Sequence, residues 1–259
     1  MDLTAYDVIV INSSGGKDSQ AMLWQVFNLA WEQRVAERLV VVHADLGRVE
    51  WEGTRELAER QASILGLPFI AVSRAQDLLD QVEQRGMWPS STARYCTSDH
   101  KRDQIAKVFT RLVRESGIKG RPVRILNCMG LRAAESPARA LKAELAPNTR
   151  ASNGKRVVTD WLPIHGLSEA EVWQTITESP LPVHPAYAAG MPRLSCCFCV
   201  LASKGALVRA AQLNPTLAAT YAGVEARIGH RFRNDLSMAD VIELAEAATE
   251  PVAATCWTA

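Results

Sequence analysis

The densest chemistry in the sequence lies at Ser14-Gly15-Gly16-Lys17-Asp18-Ser19. An apolar run over residues 8–12 precedes it and an apolar-periodic stretch from Gln20 follows. That pattern predicts a buried strand, a small-residue turn and a helix N-terminus, an arrangement that binds anions. Gly15 and Gly16 let the backbone approach a phosphate with no Cβ in the way. The amides and helix dipole favour the anion, and Lys17 adds a full positive charge. Asp18 would repel a phosphate unless it caps the helix or works through a cation such as Mg²⁺. The Walker pattern Gly-x-x-x-x-Gly-Lys-Ser/Thr is absent. The competing reading is an ordinary glycine-rich turn.

Further polar clusters follow other apolar runs. His43-Ala44-Asp45-Leu46-Gly47 ends a second apolar strand. Asp45 reads either as a partner of a ribose hydroxyl or Mg²⁺, or as a loop residue capping the next helix. In Arg94-Tyr95-Cys96-Thr97-Ser98-Asp99-His100-Lys101-Arg102, Thr97 or Ser98 is placed to cap a helix. Lys101 and Arg102 in its first turn would oppose the dipole, which points to a bound anion or else to a solvated basic face. Gly130-Leu131-Arg132 opens a segment continuing to Ser136 and Arg139, a candidate oxyanion clamp. Cys196-x-x-Cys199 is a two-ligand unit that suits zinc, iron–sulfur or dithiol chemistry. Cys128 and Cys256 read as buried free thiols.

These clusters need a scaffold. Strand patterns over residues 8–12, 39–44, 69–72 and 124–129 alternate with helical patterns over 20–38, 51–65 and 99–115. Near-continuous apolar strands between helices predict an α/β fold, a parallel sheet with helices on both faces. Asn153-Gly154 predicts a hairpin over 151–161. After Ile164 the pattern is helical, over 168–178, 206–213, 215–229 and 238–248. A boundary near residue 165 is expected, with a nucleotide-binding domain over 1–165 and a helical region over 166–259 that carries the CxxC and packs on the first. The 259 residues carry a formal net charge of +1, so no global signal for nucleic acid appears, although a local basic surface stays open. No run is long enough to span a membrane and no secretory leader is evident, which predicts a cytoplasmic protein with reduced cysteines.

Taken in order, SGGKDS, HADLG, RYCTSDHKRDQI, GLRAAESPAR and HPAYAAG followed by RLSCCFC resemble the phosphoadenosine phosphosulfate (PAPS) reductase branch of the PP-loop ATP pyrophosphatases, the adenine nucleotide α-hydrolase superfamily. The resemblance implies a Rossmann-like sheet with an adenine nucleotide, ATP or PAPS, over the loop. It implies that Ser14, Gly15, Gly16, Lys17, Asp18 and Ser19 bind phosphate or sulfate with Asp45, Gly130, Arg132 and Ser136. Lys17, Asp18, Lys101 and Arg132 would be the catalytic set. It further implies that Cys96, Cys196 and Cys199 hold an iron–sulfur cluster of the 4Fe–4S type, which normally takes four thiolates. The fourth position would be open or filled by Cys197 or Cys128, and a zinc site is the alternative. The adjacent cysteine pair of the iron–sulfur sulfonucleotide reductases is a single cysteine here, and their C-terminal Glu-Cys-Gly-Leu/Ile-His motif is missing around Cys256. The implied function is ATP-dependent activation of an acceptor for sulfur insertion, yielding AMP and pyrophosphate, as in DndC-like proteins. The alternatives are reduction of PAPS or adenylyl sulfate to sulfite, and a non-catalytic nucleotide-binding subunit of a modification or defence complex. The implied partners are a sulfur donor and an acceptor that is nucleic acid or a small metabolite, with a homodimer or complex subunit as the expected assembly.

Overall fold

In the computed structural model, which describes residues 1–248 and 250, six strands form one sheet in the order β3-β2-β1-β4-β6-β5. They are β1 (Val8–Ser13), β2 (Leu39–Ala44), β3 (Phe69–Val72), β4 (Val123–Cys128), β5 (Leu145–Pro147) and β6 (Arg156–Trp161). All neighbours are parallel except β5, which runs antiparallel to β6. Successive side chains of a strand point to opposite faces, and here both faces are apolar. Ile9, Ile11, Leu39, Val41, Leu126 and Cys128 join one core with Met22, Leu23 and Val26 of α1 (Lys17–Glu32). Val10, Val40, Val42, Ile125 and Val158 join the other with Val108 and Phe109 of the Asp103–Glu115 helix. That double coverage is why the strands read as continuous apolar runs.

The chain divides into two compact units, each discontinuous in sequence. The first comprises residues 1–44, 54–72 and 103–183 and holds the whole sheet. The second comprises residues 45–53 and 73–102 with the described residues from 184. This differs from the expected single boundary near residue 165. The connections after β2 and β3 have their own apolar residues, Leu46, Val49, Trp51, Leu78, Leu79, Val82 and Trp88, and these share a core with the C-terminal helices. In that core Trp88 stacks on Tyr221 at 5.3 Å between ring centres and meets Phe232 edge-on at 5.2 Å. Its indole N–H donates to the His230 carbonyl (3.0 Å). The second unit's longer helices are Leu78–Arg85, Lys204–Leu213, Pro215–Ile228 and Met238–Ala247. Asp77, Ser203 and Ser237 cap three of them, each side chain accepting from an amide of the first turn.

Two local expectations shift. The helix expected from residue 99 begins at Asp103, behind a wide π-type turn over Ser98–Arg102. Ser98 Oγ donates to Asp99 (2.5 Å) instead of capping. The turn at Asn153-Gly154 is present as a local bridge between Asn153 and Arg156, but the antiparallel partner of β6 is β5. Among the described residues no helix is long and apolar enough to cross a membrane.

Candidate functional site

In an open parallel sheet, ligands bind outside the carboxyl ends of the strands, where the strand order reverses. Here the reversal falls at β1. The chain steps outward from β1 to β2 and β3, then returns to place β4 on the other side of β1. The turns leaving β1 and β4 are therefore neighbours. The β1 turn is residues 14–16, with Gly15 at φ +69° and Gly16 as the N-cap of α1. Ser19 Oγ closes the turn by accepting from the Ser14 amide (3.1 Å) and donating to the Gly16 carbonyl (2.8 Å). The β4 turn brings Gly130 against the start of α1. A Cβ on Gly130 would sit 3.0 Å from the Asp18 carbonyl oxygen and 3.1 Å from the Ser19 amide nitrogen, both backbone atoms.

Charge is concentrated at this junction. Lys17 is 1% exposed and Arg132 5%. Lys17 Nζ lies 3.5 Å from Asp18 and 3.6 Å from Glu169. Arg132 Nε donates to Asp18 Oδ1 at 2.6 Å. Asp18 thus holds two cations beside a helix N-terminus. Ser136 takes another role: its Oγ accepts from the Arg139 amide (3.3 Å) and caps a four-residue helix. Arg139 forms an ion pair with Glu135, whose Oε2 also accepts from the Arg132 amide. The clamp expected from residues 132, 136 and 139 is thus Arg132 at the loop, with Ser136 and Arg139 buttressing the segment that carries it. Behind the loop, Asn12 Nδ2 donates to Asn127 Oδ1 (2.7 Å) and Asn127 Nδ2 donates to Asp160 Oδ1 (2.7 Å), a polar rung across three strands.

The second unit gathers the cysteines. Cys96 packs against the same core as Cys196 and Cys197, and Cys199 follows two residues later. Cys197 is 3% exposed with its thiol in that core, and its amide donates to the Val49 carbonyl (2.9 Å). Burial pushes its thiol up to about 12. Cys196 and Cys199 are half-exposed as residues. Burial of the sulfurs raises both thiols, while Lys101 opposes the rise in each and Arg193 in Cys199. Each also feels the charge of Cys96, and Cys196 that of Glu50. Three thiols from two segments, with cations acting on them, are a donor set for a cluster that takes thiolate ligands. Cys128 is a different case: it is fully buried in the first unit's core, and burial drives its thiol far upward. Cys256 lies outside the described residues.

Asp45 accepts from the Gly47 amide (2.7 Å), and its carboxylate lies within 4.8 Å of the Glu50 carboxylate, a pairing that suits a divalent cation. Lys101 stands among the groups that act on the thiols. Beside it Asp99 is a hub, accepting from Gln81 (2.8 Å) and facing Arg74 and Arg85 at 3.4 Å each. Its bond from Ser98, then that from Gln81, holds its carboxyl below the usual range. His100 Nε2 donates to Gln81 Oε1 (2.7 Å), and burial lowers the His100 pKa. Sequence reasoning missed Glu169, Glu50, Arg193 and this Asp99 hub. Glu50 lies three residues beyond HADLG and Arg193 opens RLSCCFC, while Glu169 shows only as the residue after the capping Ser168.

Among solved structures, the FMN adenylyltransferase of Candida glabrata is similar over 73% of this chain and 52% of that one, at 15% identity and a TM-score of 0.48. The chain thus spans about half the length of that enzyme. The PAPS reductase of Candida auris is similar over 75% of this chain and 83% of that one, at 14% identity and a TM-score of 0.44. The U34-tRNA thiolase NcsA of Methanococcus maripaludis, solved with its 4Fe-4S cluster, is similar over 96% of this chain and 78% of that one, at 12% identity and a TM-score of 0.45. No curated protein matches the sequence. The model of the phosphoadenosine phosphosulfate reductase domain matches residues 8–202. That match runs from the first residue of β1 past the last thiol of the cysteine cluster, and the chain belongs to this family.

Proposed function

We propose that the protein is a PP-loop enzyme of sulfur chemistry that cleaves ATP to AMP and pyrophosphate to activate an acceptor for sulfur insertion. The observation that carries this reading is the gathering of the cysteines: the thiols of Cys196 and Cys199 both feel the charge of Cys96 and of Lys101. Three thiolates holding a 4Fe–4S cluster would leave one iron without a protein ligand, which supplies a Lewis-acidic position for a sulfur donor. The remaining chemistry belongs to the chain. The amides of residues 15 and 16 and the start of α1 hold the phosphate oxygens. An acceptor oxygen attacks the α-phosphorus, the α–β bridging bond breaks and pyrophosphate leaves. A sulfur nucleophile then displaces AMP from the activated atom. Lys17 and Arg132 offset the charge that develops on the leaving group. Asp18 holds both cations in place, and Asp45 with Glu50 is the pair for Mg²⁺.

The family description favours a second reading, reduction of PAPS or adenylyl sulfate to sulfite. Anaerobically purified protein separates the two. Iron and sulfide in the protein, with AMP and pyrophosphate formed from ATP, are the expected result. Sulfite released from PAPS and a thiol donor, or inorganic phosphate alone from ATP, would replace the first reading.

A further inference from the structure

A groove of about 550 Å³ opens in the first unit on the side of the Asp103–Glu115 helix. Lys107, Thr110, Arg111 and Arg114 line it from the helix, and Lys155 and Arg156 from the turn entering β6. Five cations therefore face one cavity in a chain whose formal net charge is +1. Arg111 pairs with Glu115 at 2.8 Å. Among the described residues, Lys107, Arg114, Lys155 and Arg156 form no ion pair. Lys107, Arg114 and Lys155 are exposed, whereas Arg156 is 8% exposed. Its guanidinium is oriented by the Ala151 carbonyl (2.7 Å) and Thr110 Oγ1 (2.8 Å), and it lies over the Phe109 ring at 5.7 Å. A buried guanidinium held only by neutral groups is a positive charge with no counter-charge in the fold.

We propose that this groove binds the phosphodiester backbone of a nucleic acid. Residues 107, 111 and 114 fall on one face of the helix and spread over about 10 Å along its axis. A row of charge of that length matches consecutive phosphates better than one compact anion. The position also favours a polymer. Arg156 begins β6, whereas the glycine turn follows the end of β1, and the two strands run in the same direction on either side of β4. By the strand register the groove and the turn are separated by about 26 Å along the strands, so a small anion seated in one does not reach the other, while a chain of nucleotides held in the groove is long enough to extend towards the turn. A lipid surface fits less well, because the lining is concave and Val113 is its one apolar residue. The proposal stands apart from the choice of nucleotide and sulfur donor.

Fluorescence anisotropy of the full chain with a labelled mixed-sequence oligonucleotide of about 20 nucleotides, titrated from roughly 50 to 200 mM salt, reads the contacts directly. The triple variant Lys107→Ala, Arg114→Ala, Lys155→Ala should bind at least about tenfold more weakly, with a salt slope shallower by about two. Its affinity for a non-hydrolysable ATP analogue should be unchanged, which separates this test from that of the nucleotide site. If the triple variant lacks a cooperative melt, Lys155→Glu alone should still weaken binding severalfold. Equal affinity of wild type and variant, no binding by wild type at the lowest salt, or tighter binding to anionic phospholipid vesicles than to the oligonucleotide would overturn the proposal.

Discussion

Lys17 sits at 1% exposure with Asp18 at 3.5 Å and Glu169 at 3.6 Å, a lysine held by carboxylates where an anion is expected. Removing it leaves Asp18 paired with Arg132 at 2.6 Å, so the fold keeps its main local ion pair. Lys17→Met should lower ATP-analogue affinity by about tenfold or more, the weight of one or two hydrogen bonds to a charged group. Calorimetric titration checks this, with the melting temperature nearly unchanged. Gly130 tests the geometry and leaves the charge alone. In Gly130→Ala the new methyl meets the Asp18 carbonyl at 3.0 Å and the Ser19 amide at 3.1 Å. Backbone must move, at a cost of about 1–3 kcal/mol, and nucleotide affinity should fall although no charged group is lost. The loop itself is legible in the sequence because its requirements are local: small residues after a strand and a cation at a helix start. The pairing of Asp18 with Arg132 is not, because it joins residues 114 positions apart.

The turn over Ser98–Arg102 and the segment over residues 193–199 decide how the cysteines are placed. Gln81 of the Leu78–Arg85 helix donates to Asp99 and accepts from His100. Two consecutive side chains are thereby fixed on one partner, and the turn widens into the π form, a geometry frequent near functional sites. Cys96 leads into this turn. In the other segment, the bond from the Cys197 amide to the Val49 carbonyl sets the orientation, sending the Cys197 thiol into the core with Phe198. Cys197→Ser should therefore destabilise the protein by about 1–3 kcal/mol, the cost of a buried hydroxyl without a partner. It should leave iron content unchanged. Cys196→Ser and Cys199→Ser should lower the iron content, which Cys197→Ser leaves alone. Iron and sulfide analysis together with urea unfolding separates the two classes. From the sequence the CxxC was plain, but the direction of its middle residues depended on the turn at Gly47–Val49, some 150 residues away.

For the molecule as a whole, one contribution to acid stability comes from a pair at the sheet's N-terminal edge. Asp7 accepts from Arg121 at 2.6 and 2.8 Å and from the Arg124 amide at 2.8 Å, tying the start of β1 to the start of β4. The bond from Arg121, foremost, holds its carboxyl far below the usual range. A carboxyl depressed in the folded state contributes stability above its unfolded pKa of about 4 and loses it as pH falls towards the folded value. Unfolding free energy should thus drop between about pH 5 and 2. Asp7→Asn should make that limb shallower while lowering stability at neutral pH, as urea unfolding at a series of pH values would show.

By itself the sequence determined the local matters: which runs become buried strands, where helices begin, that a glycine-rich anion loop follows β1, and that thiols recur late in the chain. These depend on residue type and spacing within a few positions. Only the tertiary structure decided the rest. It put β4 beside β1, so that Gly130 and Arg132 meet the loop. It assigned residues 45–53 and 73–102 to the unit with the C-terminal helices. It made Ser136 a cap, set Lys101 among the thiols and turned Cys197 inward. Each of these outcomes is settled by burial and pairing between distant segments, and the energy of such contacts exists only once the strands are in order.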